Sequence, residues 1–106
     1  MARRDSAAAV FDALADPTRR GILAEVARRP ATATELAGAL PISRQAVVKH
    51  LTALAHAGLV EGERAGREVR YTISPDPLRD AVSWMGEVGG RWDRRLARLS
   101  RAFRAR

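Results

Sequence analysis

The chain has 106 residues, 46% of them hydrophobic but only 5% aromatic, which leaves room for one domain whose modest core is filled by alanine, leucine and valine and which favours helices. Nineteen basic against twelve acidic side chains leave a net charge of +7, which suits a polyanionic partner, and the lack of cysteine excludes disulfides and thiolate metal sites. No run approaches the roughly 20 apolar residues of a membrane span, and residues 1–5 lack the apolar segment of a secretion signal, so the expectation is a cytoplasmic protein with no membrane contact.

Ala7, Val10, Phe11 and Leu14 have helical spacing and predict a first helix. Asp16-Pro17 then marks a new start, an aspartate cap followed by proline at the first helical position. This second helix carries Ile22, Leu23 and Val26 inward and stops near Arg28-Arg29-Pro30, because proline disfavours helix in the residue before it. Thr32 or Thr34 caps a short third helix containing Glu35, Leu36, Ala37 and Leu40, ended by Pro41, and Ser43 caps a fourth. From Leu59 the period changes to two. Val69, Tyr71 and Ile73 alternate with Glu68, Arg70 and Thr72, and this strand pairs with residues 59–64 across a turn at Ala65-Gly66. Ser74-Pro75-Asp76-Pro77 punctuates the chain before a long last helix, and no internal repeat or interdomain linker is present.

Two short helices joined by a tight turn and followed at once by a hairpin form a winged helix-turn-helix, mainly α with a small β-hairpin. The expected layout is a single domain over 1–106, with a recognition helix at about 43–58, a wing at about 59–73 and a dimerisation helix at about 77–104. At about 100° per residue, Val47, Leu51, Leu54 and Gly58 group on one side of the fourth helix, and Gln45, Val48, Lys49 and Thr52 on the other. The first group is core. The second, with Ser43 and Arg44 at the amino end, has what groove recognition requires: arginine or lysine for guanine, glutamine for adenine, valine for a thymine methyl, and helix amides with the Ser43 hydroxyl for phosphate. The simpler alternative is the solvated face of an amphipathic helix. On the hairpin, Arg64, Arg67 and Arg70 surround a glycine turn and suit a phosphate backbone or minor groove, diluted by Glu61, Glu63 and Glu68; cross-strand ion pairing is the competing reading.

LADPTRRGIL (14–23), TATELAGAL (32–40), ISRQAVVKHLTALAHAGLV (42–60) and REVRYTI (67–73) together resemble the ArsR/SmtB family of bacterial repressors over about residues 6–100. The resemblance implies a homodimeric winged-helix regulator of transcription, released from its operator by an effector, with Arg44, Gln45, Val48 and Lys49 where the family touches bases. Many members sense metals through cysteines near the recognition helix or Asp/His pairs on the last helix. This chain has no cysteine and no histidine after His56, so metal sensing is not expected. Val48 stands where a serine is frequent, and Pro41 where the family's turn commonly has glycine. His50 and His56 lie about 240° apart around their helix and cannot chelate one ion, which leaves His50 a structural or phosphate-contacting residue at the edge of the core.

Leu78, Val82, Met85, Gly89, Trp92, Leu96, Leu99 and Phe103 repeat at alternating spacings of 4 and 3, a seam of the coiled-coil type about 39 Å long. A second copy of the chain is the natural cover, with Val10, Phe11 and Leu14 of the first helix joining the interface; packing against the chain's own body is the alternative. The basic excess is largest here, since residues 1–40 carry six basic and five acidic groups, 41–73 five and three, and 74–106 eight and four. Arg91, Arg94, Arg95, Arg98, Arg101, Arg104 and Arg106 read as a solvated face and tail. No nucleophile, glycine-rich phosphate loop or carboxylate pair supports catalysis, so no enzyme, cofactor or metal is expected. A pocket near Trp84, Met85 and Trp92, between the last helix and the core, is the place a small-molecule effector would take, although these apolar side chains fit simple packing equally well and neither the identity nor the existence of an effector is readable from the sequence. The expected partners are therefore double-stranded DNA and a second copy of the chain, the alternative being a winged-helix module that holds another protein.

Overall fold

The computed structural model describes the backbone of residues 3–104 and the side chains of residues 7–102. The side chains of Phe103 and Arg104, all of Arg106 and the side chains of residues 1–5 therefore lie outside the described residues. The elements follow in the order α1 (Arg3–Leu14), α2 (Pro17–Arg28), β1 (Ala31–Thr32), α3 (Ala33–Ala39), α4 (Arg44–His56), β2 (Val60–Ala65), β3 (Glu68–Ile73) and α5 (Asp76–Arg104).

Local chemistry starts three of the helices. The Asp16 carboxylate accepts the amides of Thr18 at 2.7 Å and Arg19 at 3.3 Å, with Pro17 entering α2 where its missing N–H costs nothing. At α3, Thr32 and Glu35 form a reciprocal capping box: the Glu35 amide donates to the Thr32 hydroxyl at 3.2 Å, and the Thr32 amide to the Glu35 carboxylate at 2.8 Å. Ser43 Oγ accepts the Ala46 amide at 3.1 Å and opens α4. The carboxyl end of α4 closes on a glycine. Gly58 adopts φ 76°, its amide reaches the Ala55 carbonyl at 3.0 Å, and the Leu59 amide reaches the Leu54 carbonyl at 2.9 Å, the paired bonds of a Schellman cap.

The sheet is antiparallel in the order β1-β3-β2. β2 and β3 run in register from Val60 opposite Ile73 to Ala65 opposite Glu68, so the turn is Gly66-Arg67, one residue later than expected. Only Gly66 takes positive φ, 67°, which is the requirement of a type II′ hairpin turn. β1 was not anticipated: Ala31 pairs with Tyr71 and Thr32 with Arg70, tying the wing to the start of α3.

The core is one cluster. Val10 from α1, Ile22 and Val26 from α2, Leu36 from α3, Val47, Leu51 and Leu54 from α4, and Leu59 are fully buried, each stabilising the fold by about 1.5–3 kcal/mol relative to exposure. α2 and α3 both pack on α4, α1 packs on α5, and the whole is a winged helix-turn-helix. Val10, expected at a subunit boundary, is 0% exposed and belongs to the chain's own core, because α1 folds back over α5.

Candidate nucleic-acid interface

α4 presents two faces. Val47, Leu51 and Leu54 are buried, whereas Ser43, Arg44, Gln45, Val48, Lys49 and Thr52 are all exposed, Val48 at 39% despite being apolar. That is the placement the helical period requires, and it leaves the amino end of α4, with its outward first-turn amides, open to solvent. Two of the hydroxyls have local duties. Ser43 caps the helix, and Thr52 Oγ1 donates to the Val48 carbonyl at 2.9 Å, leaving its oxygen as an acceptor only.

The charged residues are tied across elements in a way the sequence did not suggest. Arg44 Nε donates to Thr34 Oγ1 at 3.1 Å, and Thr34 in turn donates to the Glu68 carboxylate on the wing. This chain links α4, α3 and β3, and it spends only Nε of the Arg44 guanidinium among the described contacts. Arg70 forms an ion pair with Glu35 at 3.3 Å rather than with Glu63, its register partner across the hairpin. Glu35 therefore serves both the Thr32 amide and Arg70, and that amide, followed by Arg70, holds its carboxyl below the ordinary value of 4.5. Arg64 and Arg67 are exposed at the hairpin end, and neither makes an ion pair among the described residues.

His50 is half-buried at the edge of the core, where its Nδ1 accepts from Arg19 Nε at 3.3 Å; His56 is exposed. Among the described residues no three histidine or carboxylate side chains converge on a point where an ion would sit.

On α5 the residues divide. Leu78 packs on the core, Ala81 is buried, and the half-buried Trp84 rests against Phe11 with ring centroids 5.7 Å apart. The neighbouring stripe is open: Val82, Met85, Trp92, Leu96 and Leu99 are 46–58% exposed, and Phe11 is 36% exposed beside it. Leu14 and Gly89 are half-buried. A shallow depression of about 190 Å³ lies on α5, lined by Val88, Arg91, Trp92 and Arg95, the last stacked 5.2 Å over the Trp92 ring; of the three side chains expected around an effector pocket it includes Trp92.

Residues 14–63, from the end of α1 into β2, match a helix-turn-helix domain family. The transcriptional repressor SdpR of Bacillus subtilis is 34% identical over 76 residues, covering 72% of this chain and 84% of that protein. A solved ArsR-like transcriptional regulator from Rhodococcus sp. RHA1 superposes with a TM-score of 0.83 at 44% identity, covering 92% of each chain. The chain belongs to the ArsR/SmtB family. Another solved neighbour, the homodimeric winged helix-turn-helix DNA-binding domain (fragment 1–100) of Mb0332 from Mycobacterium bovis, described as a possible ArsR-family transcriptional regulator, is 30% identical with a TM-score of 0.65 over 78% of this chain and 79% of that one. As an ArsR/SmtB protein the chain is a DNA-binding regulator of transcription and not an enzyme. Within the described residues no helix is long and apolar enough to cross a membrane.

Proposed function

We propose that this ArsR/SmtB protein is a homodimeric repressor that reads a pseudo-palindromic operator and is not a metal sensor. One observation carries the reading: a single helix, α4, buries Val47, Leu51 and Leu54 while exposing Arg44, Gln45, Val48 and Lys49 in one stripe beside an open amino terminus. Gln45 and Val48 suit base edges, Arg44 and Lys49 suit guanine or phosphate, and Ser43 with the first-turn amides suits phosphate. Arg64 and Arg67 at the hairpin end extend the contact along the backbone, whereas Arg70, paired with Glu35, and Thr52, bonded to its own helix, contribute less.

The open stripe of α5, with Phe11 and Leu14 at its edge, is where a second copy docks. From Val82 to Leu99 it runs about 26 Å, and a two-fold axis there would present two α4 helices to half-sites about 34 Å apart. The homodimeric Mycobacterium neighbour supports this arrangement. The chain has neither a cysteine nor a histidine after His56, so the cysteine and last-helix Asp/His metal sites lack their ligands. The localisation that fits is the cytoplasm.

The experiment is selection of bound sequences from random DNA at stated salt, followed by Arg44→Ala and Lys49→Ala on the selected site. Each substitution weakens binding by about 1–3 kcal/mol and leaves the oligomeric state unchanged. Unaltered affinity in both variants refutes the assignment of this face.

A further inference from the structure

A cleft adjoining the operator face opens between α1, the start of α2 and the C-terminal half of α4, with a volume of about 420 Å³. Gln45, Lys49, Thr52 and His56 succeed one another at spacings of 4, 3 and 4, so the exposed stripe of α4 leads from its amino end into this cleft. Lys49 and Thr52 belong to both surfaces. The rest of the lining is small or charged: alanines of α1 and α4 form the walls, Arg19, Lys49 and His56 bring basic groups, and Asp12 is the one carboxylate. Arg19 is half-buried and anchored through Nε to His50 Nδ1 at 3.3 Å, which holds the guanidinium in place before any ligand arrives. Asp16, the N-cap of α2, accepts the amides of Thr18 and Arg19, and its carboxylate also lies within electrostatic reach of Arg19 and His50.

We propose that this cleft binds a phosphate group between Arg19 and Lys49, with His56 at its rim and the Thr52 oxygen within its lining. A guanidinium and an ammonium lining one alanine-walled hollow provide charge-assisted donors, and the small walls leave room for the tetrahedral oxygens. Two sources share this chemistry. The phosphate belongs either to the backbone of DNA lying on α4 or to a small phosphorylated ligand, and the latter, by taking Lys49, competes with the operator. The anion site itself does not depend on the operator reading; only the choice between sources does.

The test is a titration of the isotopically labelled full chain with inorganic phosphate against chloride at constant ionic strength, read by amide chemical shifts. Saturable shifts clustered around Ala9, Arg19 and Ala53 are expected, with affinity reduced about tenfold in Arg19→Gln and raised in Asp12→Asn. His56→Gln, at an exposed position, repeats the measurement should loss of Arg19 disturb α2. Absence of saturation, or wild-type affinity in both Arg19→Gln and His56→Gln, overturns the proposal. The source is then read from the operator. If Arg19→Gln weakens DNA binding and lowers the salt slope by about 1, the phosphate is the DNA's. If Arg19→Gln leaves DNA affinity unchanged but abolishes the release of DNA by added phosphate, the ligand is a free one. Should the protein select no operator at all, the titration still decides the anion site.

Discussion

Replacing Gly58 with alanine probes the junction where α4 hands the chain to the wing. Gly58 sits at φ 76°, a region that costs any residue with a Cβ roughly 1–2 kcal/mol. The added Cβ would also stand 3.2 Å from Cγ of Pro77, closer than ordinary contact, so the start of α5 must give way by a few tenths of an ångström. Crowding of that kind adds about 1 kcal/mol, for a total near 2–3 kcal/mol. In a domain of this size the midpoint of thermal unfolding then falls by about 10–20 °C. Gly21→Ala is the control. It lies inside α2 with no atom within 4 Å of the position its Cβ would take, so the same chemical change stabilises by about 0.5–1 kcal/mol. Both are read by circular dichroism melts at one protein concentration, since the midpoint of a dimer moves with concentration. A Gly58→Ala protein melting at or above the wild-type midpoint, or a Gly21→Ala protein falling as far, refutes the account of the cap.

Thr32→Ala removes one half of the capping box at a buried position, 2% exposed, and lowers stability by about 1–2 kcal/mol in denaturant titration; an unchanged midpoint contradicts the cap. The Thr18 amide holds the Asp16 carboxyl below its ordinary 3.8, and the Thr32 amide holds that of Glu35 below 4.5. Such groups stabilise the fold above those ordinary values and cease to do so as pH falls through the lower folded ones, so melting midpoints drop on acidification, and Asp16→Asn shallows that drop. Leu96→Glu places a charge in the open stripe of α5, at a residue already 58% exposed, and yields a monomer in sedimentation velocity with helix content kept; a surviving dimer moves the interface elsewhere.

Features governed by neighbours in the chain could be read without coordinates. Asp16, Thr32 and Ser43 announce the starts of α2, α3 and α4 because a cap is a bond across two or three residues, and the inward set Val47, Leu51 and Leu54 follows from the helical period alone. The exposed stripe of α4 is the complement of that same period. Tertiary structure decided the rest. β1 is two residues long, too short to show any alternation, and exists because Tyr71 and Arg70 offer it a ladder from far along the chain. The turn moved to Gly66-Arg67 because one positive φ suffices there and Ala65 gains a partner in Glu68. Val10 went into the core, Arg70 to Glu35, and Arg44 through Thr34 to Glu68 because each depends on how α1, α3 and the wing dock. Arg19, Lys49 and His56 line one cleft for the same reason. Periodicity tells which side of a helix turns inward; only docking tells which side chains of different elements meet.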